Sequence, residues 1–178
     1  MPIEAIPLGL SASAYLDVAG GDDLAAALPD LTAYRSADAG EKAAALLQAS
    51  DDVDAAMPYQ GRRFDPRQPR EFPRWVDAGA AGGIASAGPE TVWAWDAGAA
   101  VAVVPADVRR ATLYQADSIL AGTREARLSA QHDGVVYELT GGLAESYKAT
   151  PGPGVPTGLC RRAWAILRRY RTRGGRLA

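Results

Sequence analysis

The sequence predicts a mainly α protein: a small helical bundle of three to four helices with long ordered loops and one or two β-hairpin insertions. Three observations carry that reading. Apolar residues recur at helical spacing in several stretches, prolines and glycines cluster between them, and short alternating segments flank glycine turns. A length of 178 residues fits one domain, 1–178. Of the apolar share, 37 residues are alanine, which favours helix but buries little surface, so the expected core is thin and leaves room for stabilisation by neighbouring copies.

Taken in order, the first helix is expected over residues 22–28, with Asp22 or Asp23 as its cap and Pro29 as its stop. A short helical turn follows over 31–35. Asp38 and Glu41 stand at capping-box spacing before Ala45, Leu46, Ala49, Val53, Ala56 and Met57, which share one face, so an amphipathic helix is expected over 41–57. Residues 59–75, YQGRRFDPRQPREFPRW, carry Pro66, Pro69 and Pro73, which defeat regular structure. The rings of Tyr59, Phe64, Phe72 and Trp75 must nevertheless pack, so an ordered loop is expected.

The Ala/Gly/Ser run at 78–88 reads as a flexible excursion, and 91–95 with 100–104 as a hairpin, so that about 76–104 forms a flexible and hairpin insertion. Pro105 suits the first position of the longest helix, expected to reach about Leu128. A second hairpin, GVVYELT to LAESYK, turns at Gly141-Gly142. The last helix, about 159–171, has Leu159, Ala163, Trp164, Ile166, Leu167 and Tyr170 as its apolar set and arginines elsewhere; with its tail it forms a basic C-terminal segment, about 159–178.

Composition excludes several functions. One cysteine, Cys160, rules out a disulfide framework or a multi-cysteine zinc site, and it reads as a small core residue. No apolar run is long enough for a membrane span. His132 is the single histidine, sits at an expected turn and has no evident nucleophile or orienting partner. Asp51, Asp52 and Asp54 lack the glycine of a calcium loop and read as a solvated face. The glycine-rich 79–88 run lacks the Gly-Lys-Ser/Thr of a phosphate loop. The expectation is a protein that is not an enzyme, with no cofactor and no metal.

Charge distribution is more informative than the net charge of −2. Residues 1–61 carry ten acids against Arg35 and Lys42, a local balance of −8. Residues 161–178 carry Arg161, Arg162, Arg168, Arg169, Arg171, Arg173 and Arg176 and no acid. Such polarity suits head-to-tail packing of copies, a tail that meets a polyanion, or two merely solvated faces. The arginines of 59–75, interleaved with rings, have the composition that grips phosphates and stacks bases, although Asp65, Glu71 and the acidic chain as a whole oppose it.

Residues 41–75 taken together resemble the tailed-phage head-tail connector proteins, also called adaptor or head-completion proteins, some of which are catalogued as DnaT-like single-stranded-DNA-binding proteins. The resemblance rests on Ala49, Ser50, Asp51, Asp54, Tyr59, Gly61, Arg62, Arg63, Phe72, Pro73 and Arg74, and in outline it runs from Tyr15 to Tyr170. It implies a structural protein of the virion neck, assembled in the host cytoplasm as a dodecameric homo-oligomeric ring. Its implied partners are the portal protein, tail, stopper or head-completion proteins, and the double-stranded DNA passing through the channel, with no membrane.

On that reading Tyr59, Gly61, Arg62, Arg63, Phe72, Pro73, Arg74 and Trp75 form the signature loop and subunit interface, and the C-terminal arginines face portal or DNA. Deleting residues 161–178 is then expected to abolish portal attachment and leave most helix intact. The alternative is a single-stranded-DNA-binding replication accessory, DnaT-like.

Overall fold

The computed structural model describes residues 13–77, 90–92, 95–96, 101–125, 128, 137–140, 143–146 and 158–171. The protein is mainly helical. Helices α1 (Val18–Ala26), α2 (Thr32–Ser36) and α3 (Ala39–Ala55) follow one another directly, short strands precede α4 (Ala106–Leu120) and α5 (Arg161–Leu167), and α5 runs into a 3₁₀ turn, Arg168–Tyr170. Helix α4 sits between α3 and α5, and α1 and α2 close one end of the pair α3 and α4.

Strands β1 (Arg62–Arg63), β2 (Arg74–Asp77) and β3 (Glu90–Val92) form an antiparallel sheet in that order, with Arg62 opposite Trp75 and Trp75 opposite Val92. β4 (Trp95–Asp96) pairs with β5 (Val101–Ala102), and β6 (Tyr137–Thr140) with β7 (Leu143–Ser146), each antiparallel. The second hairpin is thus paired as the sequence suggests, with its Gly141-Gly142 turn outside the described residues. The 59–75 segment, expected as a loop without strands, contributes β1 and the start of β2.

Several boundaries differ from the sequence reading for identifiable reasons. α1 begins before residue 22, capped by Asp17, which accepts from the Gly20 N–H at 2.7 Å. The low helix propensity of Gly20-Gly21 hides this start, yet Gly21 is required there because a Cβ would lie 2.1 Å from the Tyr34 hydroxyl. α3 carries both halves of the capping box between Asp38 and Glu41. Pro105 stands one residue earlier than expected, at the N-cap of α4. α4 ends at Leu120, not near Leu128, because Gly122 turns to φ 71° and donates back to the Ile119 carbonyl at 2.9 Å.

The core has two parts that meet at Tyr114. One gathers Leu16, Leu31, Tyr34, Leu46 and Leu113 between α1, α2, α3 and α4. The other gathers Tyr15, Val53, Tyr59, Phe72, Val108, Leu167 and Tyr170 between α3, α4, α5 and the 59–75 loop. Arg35 braces the end of α1, donating to the Ala25 carbonyl in its last turn and to the Leu28 and Pro29 carbonyls after it. Deleting residues 161–178 would therefore remove Ala163, Leu167 and Tyr170 from the second core, a loss of packing that the expectation of intact helix did not include.

Candidate nucleic-acid interface

The arginine-rich loop is built inward. Phe72 is buried at the centre of an edge-to-face cluster with Tyr15, Tyr59 and Tyr170, ring centroids 6.1, 4.8 and 5.3 Å away. The Tyr59 hydroxyl donates to the Val53 carbonyl at the end of α3, and the Phe72 N–H donates to the Tyr15 hydroxyl at 3.1 Å. Gly61 lies at φ 74°, a conformation that costs other residues, and it lets the chain double back into β1.

Arg74, 6% exposed, donates to the carbonyls of Tyr59, Gln60 and Gly61 and pairs with Glu71. Its planar fork suits three carbonyls on one curve of chain. Arg63 closes on Glu71 at 2.6 Å and Arg67 on Asp65 at 3.2 Å. Phe64 stacks on Trp75 at 4.8 Å, and the Arg62 guanidinium lies 5.7 Å from the Trp75 ring centre, so that indole is engaged by contacts within the chain.

Arg70 reaches back to α3, where Asp51 and Asp54 accept at 2.5 and 3.1 Å, and its Nε donates to the Ser13 carbonyl at 2.8 Å. Asp52 takes Arg124 and the Gln115 amide, both at 2.7 Å, and Gln115 also holds the Gly158 carbonyl and the Cys160 N–H. Asp52 and Asp54 are therefore docking points for arginine and glutamine, not the solvated face expected of them, while Asp51 pairs with Arg70 and stays exposed. Burial holds the Asp54 carboxyl above its usual pKa despite the Tyr15 and Arg70 hydrogen bonds. At Arg70 burial works downward, but the hydrogen bonds to Asp51 and Asp54 outweigh it and raise the guanidinium.

Of the residues expected at a subunit interface, Tyr59, Phe72, Pro73 and Arg74 are buried within the chain. Gly61, Arg62 and Arg63 are exposed, and Trp75 is half-buried.

The second arginine-rich region is built outward. Cys160 caps α5, its Sγ accepting from the Ala163 N–H at 3.4 Å, and the buried edge of the helix is Ala163, Leu167 and Tyr170. Arg161, Arg162, Arg168 and Arg169 are exposed. Arg162 leans on α4 and its neighbours, 3.1 Å from Asp30 and over the Tyr114 ring, while Arg169 pairs with Asp107 and bonds the Tyr170 hydroxyl at 2.9 Å. The side chains of Arg161 and Arg168 make no hydrogen bond or ion pair among the described residues.

Arg171 closes the segment through its backbone, bridged to Tyr59, with its carbonyl bonded by Gln60 at 2.8 Å. Arg173 and Arg176 lie outside the described residues, as do His132 and the 79–88 run.

Cations in a first helical turn oppose the helix dipole. Arg168 and Arg169, at the far end, are favoured by the same dipole, and Asp30 and Tyr114 compensate Arg162, but Arg161 is uncompensated. The sequence reading placed Trp164 in the apolar set of this helix. In the fold it is half-buried and joins neither part of the core. The signal was present in the spacing: Trp164 is three residues after Arg161 and four before Arg168, hence a neighbour of both on the helix surface. Among the described residues no group of three or more His, Cys, Asp or Glu is placed to hold a metal, and no helix is long and apolar enough to cross a membrane.

Comparison with known proteins agrees with one half of the resemblance read from residues 41–75. No curated protein and no solved structure matches the chain. A family model does match, over residues 8–175, and its description is "Putative DnaT-like ssDNA binding protein". The head-tail connector half of the resemblance has no such match. With nearly the whole length covered, from before α1 to past the 3₁₀ turn that follows α5, the chain belongs to the DnaT-like family.

Proposed function

We propose that this protein is a non-enzymatic single-stranded-DNA-binding protein whose contact surface is the outer face of α5. The observation that carries the reading is the pair Arg161 and Arg168, seven residues apart on one side of the helix, exposed and unpaired among the described residues. Membership of the DnaT-like family supports the ligand class. The grip is assigned to α5 and not to 59–75, where Arg70 and Arg74 are packed against acids and carbonyls of their own chain and the exposed Arg63 and Arg67 already pair with Glu71 and Asp65.

The acidic bulk of the chain does not contradict this. Asp22, Asp23, Asp38, Glu41 and Asp51 are exposed on α1, α3 and the α3 cap, and they disfavour phosphate on those elements, which helps to orient the encounter. Binding should release counterions, so affinity falls with salt. An Arg161→Glu/Arg168→Glu variant, titrated by fluorescence anisotropy against a labelled single strand, should lose most of its affinity. It should also lose salt slope by about 0.7 per phosphate contact removed. Unchanged affinity and slope would overturn the reading.

A second reading keeps the head-tail connector: a ring of copies around DNA, between portal and tail or stopper proteins. It is favoured by the separation of exposed acids on α1 and α3 from exposed arginines on α5, which lets copies meet head to tail. Sedimentation of the purified protein, alone and with portal, separates the two readings. A ring that forms with portal, without measurable affinity for a free single strand, selects the connector.

A further inference from the structure

We infer that Trp164 is the base-stacking residue of the α5 surface and makes that surface prefer single strands over duplex. The inference rests on the single-strand reading above and adds to it the residue that discriminates between nucleic-acid forms. Charge alone cannot do this, since arginines on phosphate serve either form.

The argument is one of elimination among rings. Tyr15, Tyr34, Tyr59, Phe72 and Tyr170 are buried in the core. Phe64 and Trp75 cover each other, with Arg62 against the indole. Tyr114 packs against both parts of the core and lies under Arg162. Among the described rings, Trp95 and Tyr137 aside, Trp164 alone is half-buried, outside both parts of the core and in none of the ring or cation contacts. It sits between Arg161 and Arg168, which stand about 10 Å apart along the helix at 1.5 Å per residue. A strand laid along α5 can place phosphates on the two guanidinium groups and one base on the indole between them. Base-on-ring stacking accepts any sequence, and it requires a base that is not already stacked in a duplex.

Trp164→Ala should therefore lower affinity for an oligothymidylate about ten nucleotides long by about ten- to a hundred-fold, while affinity for a blunt duplex of similar length stays within about two-fold. Trp164→Phe keeps a ring and should retain most of the single-strand affinity. Binding of the oligothymidylate should quench tryptophan fluorescence in the natural protein and not in Trp164→Phe. Equal loss on single strand and duplex, or no loss on either, would overturn the inference with the basic face left standing. If instead Arg161→Glu/Arg168→Glu leaves both affinities unchanged, the basic face falls and this inference falls with it. Circular dichroism melts of Trp164→Phe, expected to match the natural protein, separate a stacking role from a packing one.

Discussion

Two arginine-rich regions of this chain have opposite fates. Residues 59–75 and residues 161–171 each carry five arginines with aromatic residues among them. In the first, Asp65 and Glu71 sit inside the segment, and Asp51 and Asp54 face it from α3, so Arg70 and Arg74 turn inward while the exposed Arg63 and Arg67 pair with acids of the loop itself. In the second no acid is interleaved, so Arg162 and Arg169 must reach to other elements for Asp30 and Asp107, and Arg161 and Arg168 are left facing out. Arginine density by itself is therefore a poor guide to a binding surface. The supply of local carboxylates and carbonyls decides whether the charge is used for folding or is available to a ligand.

If the division holds, substitutions in the loop cost stability and substitutions on α5 cost binding. The largest stability effect is expected at Phe72→Ala, which empties the centre of the four-ring cluster and should cost about 3 to 5 kcal/mol in chemical denaturation. Next comes Arg74→Met, which strands three carbonyls and leaves Glu71 with Arg63 alone; a loss on the order of 3 kcal/mol is expected. Arg74→Lys should recover little of that loss, since one ammonium cannot match the fork. A loop variant that keeps full stability and loses DNA binding would break the comparison.

A pH titration sharpens it further. The folded-state pKa of Asp54 is raised by burial, so between the unfolded value near 3.8 and the folded value the native state binds more protons. The Asp54 contribution to stability therefore grows as pH falls through that window and shrinks as pH rises. Denaturation midpoints of the natural protein and Asp54→Asn, compared from pH 7 downward, should shift in favour of the natural protein; a shift the other way contradicts burial as the dominant influence on Asp54. The smallest stability effect belongs to α5: Arg161→Ala/Arg168→Ala should move the thermal midpoint by no more than about 2 °C.

Much of the bundle was legible in the residues. The capping box at Asp38 and Glu41, the 3.6-residue pattern of α3 and the paired strands around Gly141-Gly142 are local signals, and local physics decides them. The start of α1 was not legible, because the need for Gly21 comes from Tyr34, thirteen residues on. Nor was the role of Asp51, Asp52 and Asp54: their partners Arg70 and Arg124 are sixteen to seventy-two residues away, and spacing along one helix carries no trace of them. Trp164 fits an apolar stripe in the sequence, and only the packing of α5 against α4 shows which of its apolar residues are covered.

By itself, then, the sequence determined the mainly α class, the polarity of charge between its first third and its last eighteen residues, and the family signature in residues 41–75. Periodicity, charge and local motifs are properties of neighbouring residues, so they survive without a fold. Tertiary structure decided which arginines remain available, because availability depends on carboxylates and carbonyls brought together from distant parts of the chain. It also placed Tyr59 and Phe72 of the signature in the core that holds α3, α5 and the 59–75 loop together.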